Sequence, residues 1–401
     1  MPTVRRALPR SIWALGFGAL FMDASSELVH SLLPVFMTTI LGASMVTIGV
    51  LEGIAEATAA ITKVFSGALS DHFRRRKVLV VLGYGLGAVT KPVFPLATSM
   101  TWVFAARFVD RVGKGLRGAP RDALIADIAP PESRGAAYGL RQALDSVGAF
   151  VGPLLAVIFM ALLANDIRAV LWVAVVPALL AVAVLVVAVR EPQAVARPAD
   201  RPKRGLFSGA KDLPPRYRVI VALGAVFTLA RFSEAFLILR AQDVGLTVGY
   251  VPLIMIVMNV VYAVFAYPIG AAADRLRPRT MLASGLGILT VADVVLAMAD
   301  SAATALIGAA FWGLHMAATQ GLLSKLIADT APGELRGTAF GIYYLVSGVA
   351  LLLASVIAGA LWSAFGASAT FIAGAVFSAL AALGLLLFRP GTDGAAPGVR
   401  G

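Results

Sequence analysis

Three ionisable residues in the first apolar run, Asp23, Glu27 and His30, stand at i, i+4 and i+7, on one face of a helix. The next run carries Glu52 and Glu56, again four apart, with Lys63 two turns further on. Later runs hold Lys91, Arg141 with Asp145, Arg231 with Glu234 and Arg240, and Asp293. The densest stretch is RFVDRVGKGLRGAPRDALIAD, residues 107–127, where eight of twenty-one residues are charged against 14% in the whole chain. Its cations Arg107, Arg111, Lys114 and Arg121 recur at helical spacing, with Asp110 and Asp122 as partners.

Such groups support a short menu of chemistry. A low-dielectric cavity favours the protonated form of a carboxylate, so one lining it can carry a proton; Asp23, Glu27, Glu52 and Glu56 are the candidates, Glu27 first. Ion pairing within a helix is the competing account for Arg141 with Asp145 and for Arg231 with Glu234. The same carboxylates and His30 offer oxygen and nitrogen ligands to a divalent cation. Arg107, Arg111 and Arg141 oppose a metal and favour an anionic or zwitterionic substrate group, because arginine presents a planar fork to carboxylate or phosphate. No resident metal and no cofactor is expected.

The glycines between cations, Gly113-Lys114-Gly115 and Arg117-Gly118, look like a phosphate cradle and are not one. Phe108 stands where a P-loop needs its first glycine, and Gly115 stands where it needs Ser or Thr. The three histidines, His30, His72 and His315, lie far apart and no nucleophile motif accompanies them, so the pattern points away from an enzyme. The absence of cysteine excludes disulfides and thiolate metal sites.

The elements that position these residues are membrane-spanning helices. The chain is 59% hydrophobic with a mean hydropathy of +0.86, well beyond soluble domains. Twelve apolar runs follow one another, each near the ~20 residues that cross a bilayer as a helix: 12–39, 46–69, 78–97, 101–127, 135–162, 168–189, 217–241, 250–272, 280–299, 303–328, 337–365 and 368–388. Alternating strand periodicity is absent, so the expected class is an all-α membrane protein of twelve transmembrane helices. The first run, with IWALGFGALFM, reads as a spanning helix and not as a cleaved signal, because apolar character resumes after Ser26.

A net charge of +12 in a soluble chain would point to nucleic acid, but its distribution gives another reading. Arg5, Arg6 and Arg10, then residues 74–77, Arg134, residues 197–218, Arg275 to Arg279, Arg336 and Arg389 fall on alternate connections. The remaining connections are nearly uncharged. The positive-inside rule then places both termini and the central loop in the cytoplasm of a cell whose inner membrane holds the chain. No nucleic-acid partner is expected, and the chain is read as a monomer in the lipid bilayer.

The chain repeats itself. LIADIAPPESRG at 124–135 matches LIADTAPGELRG at 326–337 in nine of twelve residues, and GALSD at 67–71 resembles GAAAD at 270–274. Residues 190–216, rich in proline and charge, read as a cytoplasmic linker between a six-helix bundle at 1–189 and a second at 217–401. Six spans per unit make the repeats parallel, related by a pseudo-twofold axis along the membrane normal.

GALSDHFRRRKVLV, after the second run, resembles the loop signature of the major facilitator superfamily, departing from it at His72 and Arg74. The resemblance implies a cytoplasmic gate network built on Asp71 with Arg75 and Arg76, reaching Glu132 and Arg134, with Asp274 and Arg275 as counterparts. GLRQALDSVGAFVGP, carrying Gly139, Gly148, Gly152 and Pro153, is similar to that family's antiporter motif; Ala156 and Val157 replace its last two glycines. Arg107 occupies the place of the family's fourth-helix arginine. The resemblance thus implies a secondary transporter of a small molecule by alternating access, with proton-coupled antiport and export as the expected mode and protons as the coupling ion. The alternative is an uptake or export carrier for a siderophore, organic anion or divalent metal cation.

Overall fold

Lipid offers the backbone no hydrogen-bond partner, so long apolar runs close their own N–H and C=O groups as helices. The computed structural model describes residues 8–73, 76–130, 133–191, 210–273, 277–332 and 335–387, and among them no strand occurs. The first half comprises α1 (Arg10–Thr39), α2 (Met45–Phe73), α3 (Arg76–Thr90) with the short α4 (Val93–Leu96), α5 (Met100–Ile128), α6 (Arg134–Leu162), and α7 (Ile167–Val173) leading into α8 (Val175–Ala188). The second comprises α9 (Pro215–Leu229) with α10 (Ala235–Asp243), α11 (Leu253–Ala273), α12 (Pro278–Ala297), α13 (Ala302–Thr330), α14 (Arg336–Phe365) and α15 (Ala367–Leu387).

Counting α3–α4, α7–α8 and α9–α10 as single interrupted spans, twelve crossings result, in two bundles of six. Ten are long and apolar enough to cross a membrane on composition alone. The other two fall short for physical reasons. α5 carries too many charges, and α9–α10 is split. The repeat is visible in the fold, since α5 and α13 are each 29 residues long and begin 202 residues apart, at Met100 and Ala302.

The split of the seventh span departs from the continuous helix expected over 217–241. The helix stops at Leu229 and restarts at Ala235 without any proline. Ser233 takes over local hydrogen bonding: its Oγ accepts from Ala235 N at 3.3 Å, and its own N–H donates to Ser355 Oγ of α14 at 3.2 Å. Serine competing with the helix ladder is a recognised cause of such interruption.

We call the end of the bundles that carries Arg10 and Leu387 the near end, and the opposite one the far end. One apolar core, including Leu28, Phe36, Phe94, Phe236, Trp312 and Phe371, is shared by both bundles. Toward the near end the cores are separate, one around Leu15, Tyr84 and Leu185, the other around Tyr217, Ile327 and Leu335. The bundles meet chiefly along α2 against α14, and also where α6 lies against α11 and α1 against α10.

The α2–α14 seam depends on missing side chains. A Cβ on Gly53 would stand 2.7 Å from Leu352 Cδ1 and 2.9 Å from Leu352 Cα, and one on Gly348 3.0 Å from Ala60 Cβ. Overpacking of this kind costs about 1–3 kcal/mol. Gly53→Val is therefore expected to part the helices, seen as a longer spin-label distance between the far ends of α2 and α14 and a lower unfolding midpoint.

Candidate substrate pathway

The charged face of α5 is brought inside by glycine. A Cβ on Gly113 would lie 2.6 Å from Gly83 O of α3, and one on Gly115 2.7 Å from Ala59 O of α2. The Gly-Lys-Gly stretch is thus a packing device that wedges α5 between two helices. The arginines on either side of it then meet carboxylates from α1, α2 and α6.

Arg107 Nη2 donates to Glu52 Oε2 at 2.9 Å, both side chains buried. His30 sits between two carboxylates, with Nδ1 3.4 Å from Glu27 Oε2 and Nε2 3.9 Å from Glu52 Oε2. Asp110 takes its main partner from the turn that follows α3, since Lys91 Nζ donates to Asp110 Oδ1 at 2.9 Å and to Ser26 Oγ at 3.0 Å. Arg111 pairs with Glu56 at 3.3 Å, and Arg117 with Asp23 at 3.7 Å while stacking over the Tyr84 ring. Toward the near end Arg141 pairs with Asp145 at 2.9 Å, and Arg121 reaches the same carboxylate at 3.6 Å.

The motif glycines of α6 set the distance to α1. A Cβ on Gly148 would lie 2.6 Å from Leu20 O, and one on Gly152 2.5 Å from Ala24 O and 2.8 Å from Glu27 Cβ. These glycines press α6 against the turns of α1 that carry Asp23 and Glu27. Pro153 is buried beside them, whereas Gly139 meets nothing within 4 Å.

Between the bundles lies a cavity of about 550 Å³. Its lining runs from Asp23 and Glu27, at mid-depth of α1, to Arg121 and Gln142 toward the near ends of α5 and α6. Glu56, Lys63, Lys114, Arg117 and Asp145 complete the charged wall. The second bundle contributes Asn259, Tyr262, Met316, Gln320 and Tyr344. Asn259 Nδ2 donates to Ala149 O at 3.2 Å across the α6–α11 seam, at the edge of the cavity.

Arg107, Asp110 and Arg111 are buried in the ion-pair web behind the wall, and the cavity is faced by Lys114, Arg117 and Arg121, one to three turns nearer the opening. Glu52 and His30 belong to the web as well and do not line the cavity. Arg141 and Asp145 form the expected pair within one helix. Arg231 and Glu234 do not, because the break between α9 and α10 removes the helical spacing that would bring them together. Arg240 serves α12: it donates to Leu296 O at 2.9 Å and Ala299 O at 2.8 Å, capping carbonyls at that helix's end.

Of the gate residues, Arg75, Glu132, Asp274 and Arg275, together with the side chain of Asp71, lie outside the described residues. So do residues 192–209 of the expected linker. Arg76 pairs with Asp127 and donates to Ala123 O at 3.1 Å, tying α3 to the near end of α5. Arg134 stands exposed at the start of α6.

The family profile described as Major Facilitator Superfamily matches residues 15–239 and 219–401. The chain belongs to the major facilitator superfamily. It is 32% identical over 391 residues to an uncharacterized MFS-type transporter of Methanocaldococcus jannaschii, covering 96% of each chain. It is also 26% identical over 326 residues to the class C tetracycline resistance protein of Escherichia coli, covering 78% of this chain and 80% of the relative. Among solved structures, a bacterial homologue of the human lysosomal transporter Spinster, inward-facing and occupied, superposes with a TM-score of 0.75 at 17% identity over 94% of this chain and 95% of that one. The nucleoside transporter NupG, in a mutant form, superposes with a TM-score of 0.78 at 12% identity, over 94% and 98%. At such identities the structural likeness shows the fold. Family and fold make the protein a multi-pass secondary transporter of small molecules and not an enzyme.

Removing one member of a buried ion pair leaves the other charge stranded, at a cost of about 3–5 kcal/mol. Glu52→Gln should therefore lower stability by that order in equilibrium unfolding in detergent. The double variant Glu52→Met with Arg107→Leu should recover most of the loss, since an apolar pair of similar volume leaves no charge behind.

Proposed function

We propose that the protein exports a small organic molecule by proton-coupled antiport, alternating access between the two membrane faces. The observation that carries this reading is the cavity itself: it lies between two repeat-related bundles whose core is shared in one half and separate in the other, and its wall holds carboxylates at mid-depth. A site so placed is emptied and filled by rocking one bundle against the other.

The near end carries the basic connections, including Arg76, Lys77, Arg134, Arg277, Arg279 and Arg336, which supports its facing the cytoplasm of an inner membrane. The cavity is then inward-facing in this conformation. The resistance protein among the relatives supports the outward direction of transport. One chain supplies both bundles and the whole cavity wall, which supports a monomer as the working unit.

Glu27 is the coupling residue in this reading. It lines the cavity between the bundles and meets His30, and its Cβ packs against Gly152 of the antiporter-type motif, so the side that faces it across the cavity changes as one bundle rocks against the other. Glu27→Gln should lose movement driven by a pH gradient while keeping substrate exchange in liposomes. Proton-driven transport at the wild-type rate would remove Glu27 from this role.

The gate role of Asp71 and its arginines is a second part of the proposal. A carboxylate at the near end of α2 can pair with a cation or a helix N-terminus of the other bundle when the near end closes. Asp71→Asn is expected to shift the population toward the near-open state, read by spin-label distances between near-end sites on the two bundles. An unaltered distance distribution with unaltered transport would leave Asp71 as a simple topological anchor.

A further inference from the structure

The charges on the cavity wall are unevenly committed. Each carboxylate that lines it has a partner: Asp23 meets Arg117 at 3.7 Å, Glu27 meets His30 at 3.4 Å, Glu56 meets Arg111 at 3.3 Å, and Asp145 meets Arg141 at 2.9 Å. Lys114 and Lys63 form no ion pair with a carboxylate among the described residues. Lys114 is exposed in the cavity, one turn from Gly118 on the same helix.

Lys63 approaches from α2. Its stem crosses Gly118, where a Cβ would stand 3.7–3.8 Å from its Cγ, Cδ and Cε, so the missing side chain gives it room. Its Nζ lies 4.2 Å from the centroid of the Tyr344 ring of α14, a cation–π contact between the bundles and not an ion pair. Donor capacity is also left over behind the lysines. Arg117, 4% exposed and itself a lining residue, keeps Nη1 without a hydrogen-bond partner, and Arg121 keeps Nε without one.

We propose that the cargo is an organic anion, its carboxylate or phosphate held by Lys114 and Lys63 on the α2–α5 wall and its flat apolar part against Tyr262, Tyr344 and Met316. The inference rests on the carrier reading above and adds the charge class of the substrate. A cationic cargo would need a carboxylate released from its arginine or histidine, whereas an anion meets two ammonium groups that no carboxylate pairs. The volume of about 550 Å³ suits a compact organic molecule. An anion at Lys63 also draws that side chain from Tyr344, so binding alters a contact between the bundles.

The test uses the purified full chain in detergent and a set of matched probes: benzoate, phenyl phosphate, benzamide and benzylammonium, each at millimolar concentration. The expected result is a raised thermal unfolding midpoint with benzoate or phenyl phosphate, and none with the neutral and cationic isosteres. The double variant Lys114→Gln with Lys63→Gln should weaken the anion effect by about tenfold or more in apparent Kd, while Lys114→Arg retains it. An equal shift with benzylammonium or benzamide overturns the proposal, as does no shift with either anion, or an anion shift that survives the double variant. Stabilisation by phosphatidylglycerol alone assigns the site to a lipid headgroup and overturns a small soluble cargo. Spin-label distances between the bundles, recorded in liposomes without any probe, separate the two readings. Interconverting distances with failed anion binding sink the substrate class alone, and a single fixed distance sinks the carrier reading.

Discussion

An ionised carboxylate is held inside a bundle of apolar helices only where a cation meets it at hydrogen-bond distance. Glu52 and Arg107, 2.9 Å apart and sealed from solvent, show what that demands of the first bundle. Their pairing requires α2 and α5 to approach closely at one depth, and the approach is possible because Gly115 brings no side chain to the α2 surface. Lys91 with Asp110 imposes the same demand on α3 and α5, met by Gly83 and Gly113. The glycines and the ion pairs are therefore one device. Along α5, Gly113 and Gly115 let the backbones approach, and the charge pairs on either side hold the three helices in register.

The second bundle is built on other terms. Its inner face is aromatic, with Phe232 lying 5.4 Å from both Trp312 and Phe371, and Phe236 packed against Trp362 at 5.8 Å between ring centroids. Few charges enter it, and the C-terminal copy of α5, α13, keeps the LIAD ending while carrying Gly313, Met316, Thr319 and Leu323 where α5 has Arg111, Lys114, Arg117 and Arg121. The duplicated scaffold has thus been filled with two chemistries. The first half supplies charge to the pathway, and the second supplies amides, tyrosines and a broken helix.

Much of this was legible in the sequence, because its causes are local. Twelve apolar runs, a repeat at an offset of 202 and a charged face on the fourth span each depend on residues close together in the chain. What escaped depends on partners far away. The break after Leu229 has no proline or glycine to announce it, since Ser233 N donates to Ser355 Oγ, 122 residues on. Lys91 was visible as an odd charge, but its partner Asp110 looked committed to the neighbouring arginines. The cavity is faced by Lys114, Arg117 and Arg121 and not by Arg107 and Arg111, because its depth is set by the tilt of two bundles. Helical spacing identifies a face and carries no information about depth along it.

The same geometry bears on how a bundle so tightly cross-linked can move. The ion pairs that cross from one helix to another, from Glu52 with Arg107 down to Arg121 with Asp145, all lie in the first bundle, so they stiffen it as a body. Apart from the apolar core the bundles share in the far half, the contacts between them are of another kind: backbone against glycine along α2 and α14, an amide to a carbonyl between Asn259 and Ala149, and Lys63 over the Tyr344 ring. Interlocked side chains resist sliding because cores are packed as densely as crystals. A seam with few interlocked side chains offers less resistance, and a cation over a ring can leave it without stranding a buried charge. Strong, directional interactions lie inside the body that must stay rigid, and weak, adaptable ones lie at the surface across which it must rock.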